Sequence, residues 1–216
     1  LPAATPPSLS PRKKPRQARA AVTLDAVYEA SIQLLVGGGV ARLTTTRVAE
    51  RAGVSVGTMY QYFPHKQALI YALNERYLEA LAIRLEAVCE SHHGSSLGDM
   101  CEALIETYFQ AKTERADVTR ALYASVVELD NGALVANFAD RADACTKAML
   151  ASASDATIPD LETVSLALLT TIFGAVRNAF ERNLDAGEIA ALKRQIIVMC
   201  RAYLEAVAGA TNTKSQ

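Results

Sequence analysis

Between Thr44 and Lys66 the chain gathers hydroxyl, amide and cationic side chains at the spacing of short helices. Thr45, Thr46 and Arg47 come first, then Thr58, Tyr60, Gln61 and Tyr62, then Lys66. Groups of this kind recognise a polar surface; they do not make or break bonds. The 216 residues hold no GxSxG, P-loop or HExxH motif. An enzyme would need an acid–base set that the three histidines, His65, His92 and His93, do not supply. Cys89, His92, His93 and Cys101 place sulfur and imidazole at short spacing, as zinc requires. Against that, His92 and His93 are adjacent in a polar stretch and neither cysteine has a near neighbour of its kind, so a solvated loop is the reading and no metal or cofactor is expected.

The elements that must position these groups are legible around them. Thr44 suits the N-cap of a helix over residues 45–52, on which Val48 and Ala52 share a face. Gly53 supplies a sharp turn with no Cβ, Val54 packs into it, and Ser55 caps a second helix over 56–62. Met59, Tyr62 and Phe63 give that helix a short apolar side, leaving Val56, Gly57, Thr58, Tyr60 and Gln61 on the other. Pro64 ends it, since the residue before a proline avoids the α region. A small, exposed second helix rich in hydrogen-bonding groups is the pattern of a helix-turn-helix whose second helix reads a major groove.

The run VSVGTMYQYFPHKQAL, residues 54–69, closely resembles the DNA-binding motif of the TetR family of transcriptional repressors. The resemblance implies contacts residue by residue. Thr45 and Thr46 would meet phosphate by hydroxyl and Arg47 by charge. Val56, Gly57, Thr58 and Gln61 would approach bases: Gly57 by permitting close approach, Val56 or the Thr58 methyl against a thymine methyl, Gln61 bidentately on adenine. Tyr60 and Tyr62 match phosphate-binding positions, although Tyr62 also suits a core. Lys66 would anchor a phosphate at the start of the next helix.

Charge distribution agrees with a head that alone meets nucleic acid. Residues 1–66 carry nine Lys/Arg against three Asp/Glu, and residues 67–216 carry thirteen against twenty, for a net charge of −1. Residues 1–20 hold five of the seven prolines and five basic side chains, and read as a disordered arm that either adds phosphate affinity, enters a minor groove or is simply solvated. The DNA-binding domain then occupies 21–66 and the body 67–210. Four scattered cysteines suggest small buried hydrophobes in a reducing, cytoplasmic setting. No apolar run approaches a membrane span, and no secretion-type apolar region follows the basic residues.

The fold class is all-α, with about nine helices. Val27, Ala30, Leu34 and Leu35 predict a first helix from about Val22 to Val36, ended by Gly37, Gly38 and Gly39. A long fourth helix runs from near His65 to about Cys89, followed by helices near 97–113, 118–129, 134–152, 161–183 and 188–207. The last two are apolar on more than one side and need cover. By the resemblance, residues 161–207 form a homodimer interface as half of a four-helix bundle, and the body holds a small-molecule effector. Tyr108, Phe109, Tyr123, Phe138, Phe173 and Arg177 are the candidate pocket set. The expectation is a repressor released from a palindromic operator by a small apolar ligand. The alternative is a DNA-binding regulator with no inducer, constitutive or controlled by another protein.

Overall fold

The computed structural model describes residues 18–125 and 129–209. Every regular element among them is a helix: α1 (Ala18–Arg42), α2 (Thr45–Ala52), α3 (Val56–Tyr62), α4 (Lys66–Ser91), α5 (Leu97–Thr113), α6 (Ala116–Ser125), α7 (Gly132–Ala151), α8 (Leu161–Glu181) and α9 (Ala186–Gly209). The architecture is all-α, with the helix-turn-helix formed by α2 and α3. Two boundaries differ from the sequence reading. Ala18–Ala20 already belong to α1, so only the last three residues of the expected arm are described, and they are helical; residues 1–17 lie outside the described residues. At the other end of α1, Gly37 and Gly38 stay helical and the break comes at Gly39, with φ 66° and ψ −173°. A helical glycine costs only about 1 kcal/mol, and Leu35 and Leu43, both buried, hold the chain on either side.

Packing groups the chain into two compact units, residues 1–79 with 115–137, and 80–114 with 138–216. The expected division after residue 66 marks the start of α4, whereas the first half of α4 and all of α6 pack with the head. In this first unit Val27 and Leu35 of α1, Val48 and Ala49 of α2, Met59, Tyr62 and Phe63 of α3, Leu69 and Leu73 of α4, and Val118 and Leu122 of α6 share one core. Polar links reinforce it. Arg76 reaches Asp25 at 2.5 Å and lies 5.0 Å from the ring centre of Tyr28. The Tyr77 and Thr119 hydroxyls share a 2.8 Å hydrogen bond. The Tyr71 hydroxyl is buried with no hydrogen-bond partner among the described residues.

In the second unit α5 packs against α8 and α9. Lys193 of α9 pairs with Glu106 at 2.6 Å and Arg201 with Glu102 at 3.2 Å. Two guanidinium nitrogens of Arg141 on α7 each donate to Glu86 on α4 at 2.7 Å. The hydrogen bonds from Arg141 hold the Glu86 carboxyl below its ordinary pKa. The four cysteines form two thiol pairs across helices. Cys89 donates to the Cys145 sulfur, which raises its own pKa and lowers that of Cys145, and Cys101 stands in the same relation to Cys200. By length and composition alone α8 reaches a membrane span, closer than the sequence reading allowed. Yet Val164, Leu168, Leu169, Ile172, Val176 and Phe180 bury one side of it within the unit.

Candidate nucleic-acid interface

The turn between α2 and α3 is built by local hydrogen bonds. Thr44, extended at φ −129° and ψ 149°, accepts from the Arg47 backbone N–H at 3.2 Å and so starts α2. Gly53 ends it in the left-handed region, φ 69° and ψ 28°, a conformation that favours glycine. The next residue, Val54, donates its backbone N–H to Ala49 at 3.0 Å. Ser55 then accepts from the Thr58 N–H at 2.9 Å and shares a 2.8 Å hydroxyl contact with the Thr58 side chain. After Pro64, His65 caps α4, its Nδ1 accepting from the Ala68 N–H at 3.2 Å.

These bonds present α3 with two faces. Met59 and Phe63 are fully buried, while Val56 is 41% and Tyr60 45% exposed, and Gly57 and Gln61 are exposed beside them. Thr46 and Arg47 are exposed on α2, Thr58 and Lys66 half-buried. An added Cβ at Gly57 would meet only the Ser55 hydroxyl, at 3.8 Å, so nothing inside the chain requires glycine there.

Two expected contacts lie elsewhere. Tyr62 is a core residue, 7% exposed, because positions 59, 62 and 63 share the buried side of α3. Thr45 is 9% exposed, in register with the buried Val48 and Ala49, and its hydroxyl makes a long 3.4 Å donation to the Tyr60 phenol oxygen. It therefore bears on where Tyr60 points. The phenol oxygen accepts from Thr45, and its own hydrogen stays available to another acceptor.

Two arginines escaped the sequence reading. Arg42 and Arg51 join Leu34, Arg47 and Glu50 around a surface hollow of about 480 Å³. The spacing of Arg47 and Arg51, four apart on α2, was the available signal. Arg51 also donates to Gln33 on α1 at 3.0 Å.

The expected effector residues do not all come together. In the second unit the Tyr108 ring of α5 lies 4.4 Å from that of Phe173 on α8, and Phe138 of α7 lies 5.4 Å from Phe173. Phe109 is buried on α5. Tyr123 belongs to the first unit, half-buried on α6. Arg177 is exposed and bonded to Glu181 of its own helix at 2.8 Å, as a surface pair and not an interior anchor. The interior cation is one that sequence reasoning passed over: Lys112, 2% exposed, its ammonium 5.5 Å from the centre of the Tyr108 ring. Burial pulls its pKa from 10.5 down to about 7.

A family model described as bacterial regulatory proteins, tetR family, matches residues 27–73, and one described as tetracyclin repressor-like, C-terminal domain, matches residues 96–204. The chain belongs to the TetR family. As a TetR-family protein it is a DNA-binding transcriptional regulator with a helix-turn-helix. It is 32% identical over 105 residues to the nucleoid occlusion factor SlmA of Haemophilus ducreyi, a stretch covering 47% of this chain and 51% of that protein. The chain thus spans about half the length of the curated relatives it matches. A TetR-family transcriptional regulator from Streptomyces coelicolor has a similar structure, with a TM-score of 0.60 and 25% identity over 86% of this chain and 99% of that one. FadR from Bacillus subtilis, solved in complex with stearoyl-CoA, shares the fold with a TM-score of 0.65 at 14% identity, covering 82% of this chain and 97% of that one.

Proposed function

We propose that this TetR regulator is a homodimeric repressor whose α3 enters the major groove of a palindromic operator and whose release is driven by a small effector bound in the body. The exposed face of α3 carries the reading: Val56, Gly57, Tyr60 and Gln61 face outward while Met59 and Phe63 hold the helix to the core. Tyr60 donates to phosphate, with Thr45 steadying it. Thr46, Arg47 and Lys66 meet phosphate, and Arg42 and Arg51 enlarge the cationic surface. Gln61 pairs with adenine. Thr58, whose hydroxyl is engaged by Ser55, offers its methyl to thymine. Val56 adds apolar contact, and Gly57 lets the backbone come close.

Two heads then read half-sites about 34 Å apart. Support for the dimer comes from α8 and α9, where Leu166, Val198 and Met199 are large apolar side chains left exposed. Residues 161–207 pairing with a second copy would cover them. Domain limits of 21–66 for the DNA-binding part and 67–210 for the ligand and dimer part, and a cytoplasmic location, belong to the same proposal.

The test is a mobility-shift assay on DNA selected from a random pool. Tyr60→Phe should weaken all sequences about equally, and Gln61→Ala should change which sequence is preferred. If neither substitution alters binding, α3 is not the reader. A second reading, a DNA-binding factor with no inducer, is favoured by the name of the SlmA relatives. A metabolite library that leaves operator-bound protein in place, with no thermal shift, would select it.

A further inference from the structure

We propose that Lys112 anchors the carboxylate of an effector whose apolar body lies against the Tyr108, Phe173 and Phe138 rings. The inference rests on the effector-controlled reading above and specifies its ligand class.

Lysine is among the residues least often fully buried, because its stem ordinarily lets the ammonium reach water. Here it does not: the whole side chain is 2% exposed on α5. Its ammonium is 5.5 Å from the Tyr108 ring centre, one helical turn back on the same helix. A ring face attracts a cation, but more weakly than desolvation opposes it. The pKa near 7 records that imbalance in the ligand-free chain. An anion brought to the same place restores the charge and makes a charge-assisted hydrogen bond in low dielectric.

The neighbours define the rest of the ligand. Tyr108, Phe173 and Phe138, contributed by α5, α8 and α7, form a continuous aromatic group with centroid separations of 4.4 and 5.4 Å. That surface suits an apolar chain or ring. Full burial of the single lysine limits the head group. A carboxylate is small and singly charged, so one ammonium neutralises it. A phosphate monoester or coenzyme A head would bring further charges, each needing its own partner out of water.

The experiment uses the purified full chain without DNA. Octanoate, decanoate, benzoate and cinnamate are each compared with the corresponding primary amide by thermal melting and titration calorimetry. At least one acid should raise the melting temperature and bind about ten- to hundredfold more tightly than its amide. Lys112→Met, shown to be folded by its own melting curve, should bind that acid more weakly by a similar factor. The acid–amide comparison on the unaltered chain needs no variant. Equal affinity for acid and amide, undiminished acid binding by Lys112→Met, or no binding by any of the four acids overturns the assignment. Operator release is measured separately. A chain that binds acids but stays on DNA refutes the repressor reading and leaves this one standing, whereas a chain released by a neutral ligand alone does the reverse.

Discussion

Replacing Lys112 by methionine should stabilise the ligand-free protein, by an amount that shrinks as pH rises. The sign follows from proton binding. Burial lowers the folded-state pKa from 10.5 to about 7, so between these values the unfolded chain holds a proton that the folded chain has released. Unfolding there takes up a proton, and stability increases with pH. Below pH 7 both states are charged and the full desolvation cost is present; above about 10.5 both are neutral and it has vanished. Each pH unit in the window is worth about 1.4 kcal/mol, so three units amount to about 4 kcal/mol. That is a large part of the ~5–15 kcal/mol stability typical of a domain. Methionine has similar length and no charge, so Lys112→Met should exceed the wild type by about 4 kcal/mol at pH 6 and approach it by pH 10. Urea unfolding of both chains, followed by helical circular dichroism across that range, measures the difference directly. All other titrating groups cancel between the two chains. A pH-independent difference, or a variant less stable than wild type at pH 6, would refute the reasoning.

Other consequences follow from single positions. Gly57→Ala has room in the free chain and should strengthen α3 by about 0.5–1 kcal/mol, yet weaken binding to selected DNA by about tenfold, roughly 1.4 kcal/mol; melting and mobility shift on one preparation check both. Tyr71→Phe removes a buried hydroxyl with no partner among the described residues and should stabilise by about 1–2 kcal/mol; a lower urea midpoint would mean that the hydroxyl is bonded. Native labelling with a disulfide reagent should consume Cys145 first, since it is half-buried with a lowered pKa while Cys89, Cys101 and Cys200 are at most 4% exposed. Mass mapping of the first equivalent decides it.

The helix-turn-helix was legible because its signals are local. Thr44, Gly53 and Ser55 each act within a few residues of themselves, and the structure places each where its side chain predicts. Thr45 and Tyr62 were read outward on resemblance although their spacing pointed inward, three before Val48 and three after Met59. The glycine run misled in another way, because local entropy was weighed without the buried leucines that flank it. Long-range packing left no periodic trace: residues 115–137 join the head across a gap that spans all of α5. Lys112 had the right spacing, four after Tyr108 and three after Phe109, to lie on the buried side of α5, but its charge argued for water.

At seven residues, α3 is too short to persist as a helix in water by itself. Its order is lent by the side chains of Met59, Tyr62 and Phe63 beneath it. The reading surface is therefore preorganised. Docking on a duplex need freeze only a few outward rotamers, with no backbone left to arrange. A truncation at Met59, which touches no base, should then loosen DNA affinity by letting the reader unravel between encounters.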